Sequence, residues 1–532
     1  MKRLLFFLSF IGVFTVFYSQ TTLVFVYFKD KPNKAVFYAN PLSELSQKSL
    51  NRRTNLNINL NDQDAPIEQS YIVNIQNLGF AVTDYSKWLN GVAVYATPAQ
   101  VILLQSQNFV QSVESFAKNP NPSSKVVTEN KWNEFQKNIQ TNFNYGAGLD
   151  QINQINLRNL HVMGYTGSGV TIAVLDTGFP NVDTGATFTR LWSNNQIKGG
   201  YNFVNKNTDI YNTTLANHGT FVLGNIGGYI DGNFAGSAPD ADFYLYATEK
   251  TPQEIPEEQL YWIEAAEEAD RKGVDIITTS LGYSTFDDPQ YNLQYSDMNG
   301  TTAFISRGAQ IATEKGIFVL AAAGNSALQS WHYITAPADN TKVFSIGAVD
   351  STGASSAFSS FGPNSLGFIK PDASARGTAA TTVNGSTTMS ASGTSFAAPI
   401  AAGGMACLLQ AFPNMNREFI RNKLRQTASL YPSYTDQMGY GILNFGATIN
   451  MLNTFEISKD YSFSVYPNPT KDWIMIQSKK TPTQIEVFDQ LGRKLLSKKN
   501  DRKIDIQHLA IGIYYLKIQF ENHIEIEKII KQ

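Results

Sequence analysis

Short apolar runs alternate with longer helical patterns between residues 145 and 455, and this alternation restricts the fold more than any other feature. Five runs have the length of buried strands: Val170–Leu175, Phe243–Tyr246, Val274–Ser280, Ile317–Ala322 and Val343–Val349. Helical patterns occur between them at Glu257–Lys272 and Ala303–Lys315. Repeated strand–helix–strand units place the strands side by side in parallel, with helices on both faces. The region therefore predicts a three-layer α/β/α domain with a mostly parallel sheet.

The segments on either side follow different patterns. Residues 21–128 predict a small α+β domain, with strands at Thr22–Tyr27, Tyr71–Ile75, Leu89–Val94 and Phe109–Phe116 and a helix at Pro98–Ser106. The stretch 117–144 is polar and rich in Lys, Asn, Pro and Ser, which is typical of an exposed connection, and we place a cleavable linker at 129–144. Residues 461–532 contain six or seven short strands at regular spacing and predict a small β-sandwich. We interpret Asn453–Asp460 as a polar connection in front of it.

The N-terminus has the pattern of an export signal. Lys2 and Arg3 precede an apolar run from Leu4 to Phe17, which is 14 residues long. A membrane anchor is the alternative, but a spanning helix needs about 20 apolar residues. Residues 1–20 are therefore predicted to be a signal peptide, and the mature protein is expected outside the cytoplasm.

Composition excludes several classes of function. The chain has 42 Lys and Arg against 44 Asp and Glu, so the formal net charge is −2. This balance argues against a generally basic nucleic-acid-binding protein, and we expect no nucleic-acid partner. The single cysteine, Cys407, excludes a disulfide within the chain and a cysteine-based zinc site.

Three short blocks carry side chains that could perform nucleophilic catalysis. Asp176 follows the predicted strand Val170–Leu175, His218 precedes an apolar helical run, and Ser395 begins another helical pattern. In an open α/β sheet, reactive groups collect at the carboxyl ends of strands and at helix N-termini. A carboxylate can orient an imidazole, the imidazole can act as general base, and a hydroxyl can attack. The chain order Asp, His, Ser is that of subtilisin.

The blocks VTIAVLDTG, NHGTFVLG and SGTSFAAPIAAG resemble the active-site signatures of the subtilisin-like serine proteases, the subtilases. The resemblance covers roughly 145–455. It implies a serine endopeptidase that hydrolyses peptide bonds in proteins through an acyl-enzyme, with Asp176, His218 and Ser395 as the triad. It also implies that Asn325 belongs to the oxyanion hole and that Thr335 lies near the floor of the substrate pocket, which it would shorten. The implied substrate-binding residues are Ser280, Leu281, Gly282, Ala322, Ala323 and Gly324.

The flanking segments resemble known modules as well. Residues 71–116 are similar to the inhibitory propeptides of subtilases, so the chain is expected to be an autoprocessed zymogen whose own propeptide is an intramolecular inhibitor. Residues 461–532 resemble the C-terminal sorting domain of type IX secretion in Bacteroidota. This resemblance implies the type IX secretion machinery as a partner and a secreted or cell-surface location beyond the outer membrane. An ordinary accessory β-sandwich is the alternative.

Other functions are less consistent with the sequence. Asp-Thr-Gly is also an aspartic-protease motif and occurs at Asp176 and Asp183, but two aspartates seven residues apart cannot come from two separate lobes. A non-catalytic relative would lack a member of the triad, and all three residues are present. A metalloprotease has no support, because the sequence contains no HExxH motif. Many subtilases bind calcium, but no block matches a calcium loop. We therefore expect no catalytic cofactor and locate no metal site.

Overall fold

The computed structural model describes residues 21–118, 145–460, 463–520 and 523–532. The predicted signal peptide and linker lie outside these residues. The described chain divides into two compact units, the first ending at Gly446 and the second beginning at Ala447.

The N-terminal part of the first unit is an antiparallel sheet covered by helices. Its elements are β1 (Thr22–Phe28), α1 (Lys34–Ala39), α2 (Gln47–Leu56), α3 (Gln69–Asn77), β2 (Asp84–Ser86), β3 (Gly91–Ala96), α4 (Pro98–Gln105) and β4 (Val110–Ser115). The strands pair in the order β2-β3-β1-β4. Ile72, Ile75 and Leu104 from α3 and α4 join the apolar core beneath the sheet. This is the α+β arrangement that the sequence predicts.

One predicted strand in this part is wrong. Tyr71–Ile75 belongs to α3, and its buried residues Ile72 and Ile75 are three positions apart, on one face of the helix. The apolar content of such a short segment suits either element, so the spacing of the buried side chains decides between them.

The rest of the first unit is built on a seven-stranded sheet. The elements, in chain order, are α5 (Leu149–Gln154), α6 (Arg158–Val162), β5 (Thr171–Asp176), α7 (Thr189–Ser193), β6 (Ile197–Asn202), α8 (His218–Gly227), β7 (Tyr229–Ile230), β8 (Phe234–Ala235), β9 (Asp242–Ala247), α9 (Glu258–Lys272), β10 (Ile276–Thr279), α10 (Phe304–Glu314), β11 (Phe318–Ala322), β12 (Phe344–Val349), β13 (Ala373–Arg376), β14 (Ala380–Val383), β15 (Thr388–Ala391), α11 (Thr394–Ala411), α12 (Arg417–Thr427) and α13 (Phe445–Asp460). The strand order is β13-β12-β11-β10-β5-β9-β6, and every pair in it is parallel.

Helices cover both faces of this sheet. Helices α8 and α11 pack together against it, and α9 and α10 do the same. Ala173 and Leu175 of β5 belong to the core that includes α9 and α10, whereas strand geometry turns the alternate side chains to the other face. The three-layer prediction is confirmed, as are its five strands and two helices to within two residues. Strands β6 and β13 were not predicted, because IKGGYN and ASAR lack an apolar run and lie at the sheet edges.

Helix α11 is the central helix of one layer. Its 18 residues are long and apolar enough for a membrane span, but 89% of it is buried inside the protein. The apolar composition is therefore explained by burial in the core.

Helix α13 begins at the end of the first unit, but most of its residues belong to the second unit, which is all β after this helix. Its strands are β16 (Phe463–Tyr466), β17 (Trp473–Ser478), β18 (Gln484–Phe488), β19 (Lys494–Lys499), β20 (Lys503–Asp505), β21 (Gly512–Phe520) and β22 (His523–Lys531). They form a three-stranded sheet, β16-β17-β20, and a four-stranded sheet, β19-β18-β21-β22. Ile474, Ile485 and Leu516 share the apolar core, as predicted for a β-sandwich. The segment Asn453–Asp460, interpreted from the sequence as a polar connection, is the last part of α13.

Candidate active site

A buried carboxylate and an imidazole meet at the C-terminal end of β5. Asp176 is the last residue of β5, and His218 is the first residue of α8. His218 Nδ1 lies 2.6 Å from Asp176 Oδ1, and the side chains are only 9% and 1% exposed. Gly219 permits the approach, because a Cβ there would stand 2.4 Å from the Gly178 carbonyl oxygen. The contact orients the imidazole and stabilises a positive charge on it.

A serine hydroxyl lies at the N-terminus of the core helix. Ser395 is the second residue of α11, and its hydroxyl donates to the Ser280 carbonyl oxygen at 3.2 Å. In return, the Ser280 hydroxyl donates to the Ser395 carbonyl oxygen at 2.8 Å. That carbonyl needs an external donor, because Pro399, four residues later, has no N–H to offer it. The rings of His218 and Phe396 lie 6.0 Å apart, so the imidazole stands beside the first turn of α11.

An amide side chain is fixed next to the same helix end. The Oδ1 of Asn325 accepts the Thr394 backbone N–H at 2.9 Å and the Thr394 hydroxyl at 3.0 Å. With its oxygen engaged, Asn325 has its Nδ2 to offer, 3.5 Å from where a Cβ on Gly393 would stand. The first N–H groups of a helix lack partners within the helix and attract negative charge. The amide and the helix end could therefore stabilise an anion together.

Two backbone strips leave neighbouring strands beside these groups. They are Ser280, Leu281 and Gly282, after β10, and Ala322, Ala323 and Gly324, at the end of β11. Thr335 fills the space between them: its Oγ1 lies 2.1 Å from where a Cβ on Gly282 would stand and 3.3 Å from the same point on Gly324. Among the described residues, this buried hydroxyl has no hydrogen-bond partner. The Thr335 side chain therefore lies close to both Gly282 and Gly324.

Three glutamates form a carboxylate group beyond β9. Oxygen atoms of Glu249, Glu254 and Glu258 all lie within 4.8 Å of one another. The Tyr283 hydroxyl donates to Glu249. Burial and then the charge of Asp287 raise the pKa of Glu254 to about 7. Burial and then the charge of Glu254 raise the pKa of Glu258 to about 9.

The structure brings the predicted residues Asp176, His218, Ser395 and Asn325 to one edge of the sheet, and the two predicted strips lie beside them. Sequence reasoning missed the contacts that hold these residues in place. The role of Thr394 in holding Asn325 could not be read from the sequence, where Thr394 is only the middle residue of Gly-Thr-Ser. One contact did have a signal: Pro399, four residues after Ser395, indicates that the Ser395 carbonyl oxygen accepts from a donor outside the helix. The glutamate group has no spacing signature, because it forms where a loop meets the start of α9.

Comparison with known proteins agrees with this geometry. The subtilase family matches residues 167–442, the Bacteroidota propeptide domain of peptidase S8 matches 23–133, and the C-terminal sorting domain of a secretion system matches 464–532. Subtilisin NAT of Bacillus subtilis subsp. natto is 31% identical over 299 residues, which cover 56% of this chain and 70% of that protein. Subtilisin BL of Lederbergia lenta is 30% identical over 298 residues, covering 55% and 95%.

A solved structure has the same fold. The epidermin leader peptide processing serine protease of Staphylococcus aureus covers 82% of this chain and 99% of its own, with a TM-score of 0.55 and 17% identity. The chain belongs to the subtilase family, because that family accounts for more than half of its length. It is a secreted or cell-surface serine endopeptidase made as a zymogen, which confirms the predicted fold, activity and location.

Proposed function

We propose that Asp176, His218 and Ser395 are the catalytic triad of this protease. The observation that most supports the proposal is the 2.6 Å contact between Asp176 and His218 beside the helix turn that carries Ser395. For catalysis, the Ser395 hydroxyl turns from the Ser280 carbonyl towards His218 Nε2 and gives up its proton there. The freed oxygen attacks the carbonyl carbon of the scissile peptide bond, while Asp176 stabilises the imidazolium.

The tetrahedral intermediate needs donors for its oxyanion. In this proposal the Asn325 Nδ2 and the Ser395 backbone N–H supply them, and Thr394 keeps the Asn325 amide in the donating orientation. Collapse of the intermediate breaks the C–N bond, and His218 returns the proton to the leaving amine. Water then attacks the acyl-enzyme with His218 again as base, which restores the Ser395 hydroxyl.

The two strips would hold an extended peptide on either side of its backbone. Strand addition uses main-chain hydrogen bonds for affinity and side-chain pockets for preference. Ser280, Leu281 and Gly282 would form one wall, and Ala322, Ala323 and Gly324 the other. Substrates are therefore peptides and proteins in an extended conformation, with a small residue at P1, the position before the scissile bond, because Thr335 fills the space between the strips.

We also propose the processing scheme that the sequence predicts. Residues 1–20 are the signal peptide, 21–128 the propeptide, 129–144 the linker cut by the enzyme itself, 145–455 the catalytic domain and 461–532 the sorting domain, which engages the type IX secretion machinery. The catalytic steps need no cofactor. Carboxylate oxygens of Glu249, Glu254 and Glu258 lie within 4.8 Å of one another, but no sequence block matches a calcium loop, and we assign calcium to no residue.

Substitution of the nucleophile tests the proposal. Ser395→Ala should abolish peptidase activity and leave the precursor uncut between 117 and 145, because the scheme assigns the attack on the peptide bond to the Ser395 hydroxyl. Ser392→Ala, three residues away on the same loop, is the matched control and should be processed like the wild type. Equal turnover by Ser395→Ala and wild type would refute the triad, and equal cutting of both precursors would refute self-processing.

A further inference from the structure

An arginine of the propeptide region is enclosed by the catalytic region, far from the candidate triad. Arg52 lies on α2, in the segment between β1 and α3, and its side chain is 2% exposed. Its Nε donates to the Lys315 carbonyl oxygen at 3.1 Å, Nη1 donates to the Val274 carbonyl oxygen, and Nη2 donates to the Asp270 carboxylate. All three acceptors belong to the part of the chain that follows the linker. The guanidinium therefore occupies a socket built by the catalytic region.

The socket is electrostatically matched to a guanidinium. Lys315 directly follows α10, and Val274 lies two residues after the end of α9, so both carbonyl oxygens stand near helix C-termini, where helix dipoles concentrate negative charge. Asp270 adds a full charge in the last turn of α9, where a carboxylate is unfavourable without a cation. Its side chain is fully buried. A planar, five-donor guanidinium matches a carboxylate and two carbonyl oxygens better than an ammonium does.

Asp270 depends on the propeptide region for its partners. Within the described residues, every hydrogen bond given to its carboxylate comes from α2: from Ser49, Arg52 and Arg53. Burial alone would raise the pKa of Asp270, but the charge of Arg52 and the bonds from Arg53 outweigh it, so the pKa is lowered. While α2 is in place, loss of one of these partners leaves a buried carboxylate less compensated, which is strongly unfavourable.

Each region also supplies a cation to an acidic group of the other region. Arg53 also pairs with Asp64 of the propeptide region at 2.7 Å, and the Lys315 ammonium reaches back to Asp64 at 3.1 Å and to Asn61 at 2.7 Å. Buried ion pairs of this kind depend on exact partners, since loss of one member leaves the others desolvated. The contact is thus specific for this segment.

This contact lies at the edge of the sheet opposite the candidate triad. Val274 precedes β10 and Lys315 precedes β11, whereas Ser280 and Asn325 follow the same two strands. Strands of four and five residues at about 3.3 Å per residue separate the two edges by roughly 15 Å. The propeptide region can therefore hold this socket without touching the substrate cleft.

We propose that Asp270, Val274 and Lys315 form an arginine-binding exosite on the catalytic domain, which Arg52 fills in the precursor and which retains the propeptide after the linker is cut. The idea rests on the proposed zymogen processing. The exosite sets the delay between cleavage of the linker and the appearance of activity, because the propeptide leaves the substrate cleft only after α2 has dissociated from the exosite.

Variants of the full chain test the delay. Arg52→Gln leaves the mature enzyme identical to wild type, so any change arises from the propeptide. It should release the propeptide on the order of 10²-fold faster and shorten the interval between loss of the precursor band and appearance of activity. Asp270→Asn should act likewise, and the double variant no more than either single one. Glu268→Gln is the control, because this partly exposed neighbour pairs only with Arg271 and Lys272 among the described residues.

A second measurement does not depend on the proposed triad. The Ser395→Ala chain is nicked in the linker by an unrelated protease, and co-migration of the two fragments is followed by size-exclusion chromatography. The two fragments of the nicked chain that keeps Arg52 should co-migrate as one complex, whereas the two fragments of the nicked Arg52→Gln chain should separate. Absence of self-cutting in the wild type would count against the proposed processing alone. Equal retention with and without the Arg52→Gln substitution, or a Glu268→Gln effect as large as that of Asp270→Asn, would overturn the exosite.

Discussion

Thr335 should set the size limit at P1, and enlarging the cleft tests this directly. Thr335→Gly removes three heavy atoms that lie between Gly282 and Gly324. A leucine side chain carries three more carbons than alanine, so the space gained matches the extra size of leucine. Thr335 makes no side-chain hydrogen bond within the described residues, so its removal breaks none.

The size of the effect follows from burial of the added carbons. At about 0.8 kcal/mol for each buried CH₂, three carbons contribute roughly 2.4 kcal/mol, or about a 60-fold change in rate. The ratio of kcat/KM for leucine over alanine at P1 should therefore rise by roughly 10- to 100-fold in Thr335→Gly. Activity on alanine substrates should stay within a few-fold of wild type.

The assay uses peptides that differ only at P1, carrying alanine, leucine or phenylalanine. Thr335→Val is the matched control, because it keeps the volume and replaces a hydroxyl that has no partner among the described residues; its leucine-to-alanine ratio should equal that of wild type. A wild-type enzyme that prefers phenylalanine, or a Thr335→Gly ratio unchanged from wild type, would refute the reasoning about the pocket.

Three further outcomes are expected. Asn325→Asp keeps the side-chain oxygen that accepts from Thr394 but loses the Nδ2 donor. We expect kcat to fall by about 10²–10³-fold with little change in KM, which is the effect known for loss of such a donor in subtilisin. A fall in kcat of less than threefold would exclude Asn325 from the oxyanion hole. The raised pKa of Glu254, about 7 against 4.5, means that the folded chain keeps a proton that the unfolded chain releases, so stability falls as pH rises from 4.5 to 7. Glu254→Gln should therefore stabilise the Ser395→Ala chain at pH 8, where its free energy of unfolding should rise by on the order of 1–3 kcal/mol and its Tm should rise with it. At pH 4 neither quantity should change. An equal stabilisation at both pH values would contradict the titration of Glu254. Asp372→Asn weakens buried pairs with Lys370 and Arg425 and should cost about 3–5 kcal/mol in urea unfolding, whereas a cost below 1 would show that the pairs contribute little.

The fold was largely predictable because its strands are buried on both faces. Runs such as Val170–Leu175 and Val343–Val349 are apolar except for one hydroxyl residue each, Thr171 and Ser345. Such nearly continuous apolar runs are the signal that a parallel sheet between two helical layers produces. Edge strands such as β6 need no such run, so IKGGYN was missed. Tyr71–Ile75 failed for a related reason, since five residues are too few to separate a strand period from a helix period.

The site was predictable where chemistry requires a particular side chain and unpredictable where packing selects one. Asp176, His218 and Ser395 stand at element ends that the sequence locates. The contacts of Asp270 with Arg52 join positions 218 residues apart, and no local pattern connects a helix of the propeptide region to the ends of α9 and α10. The position of Thr335 between Gly282 and Gly324 likewise arises only when three separate segments meet.

The paired hydrogen bonds between Ser280 and Ser395 have a mechanical consequence. The Ser280 hydroxyl donates to the Ser395 carbonyl oxygen, and this bond does not involve the Ser395 hydroxyl. It therefore still links the two residues when, in the proposed mechanism, the Ser395 hydroxyl leaves the Ser280 carbonyl and turns towards His218. In the proposed mechanism, a peptide that pairs with Ser280, Leu281 and Gly282 is therefore positioned relative to the residue that carries the attacking oxygen. Because a misplacement of about 1 Å can cost 10²-fold in rate, this link would help to keep the scissile bond aligned with the Ser395 oxygen.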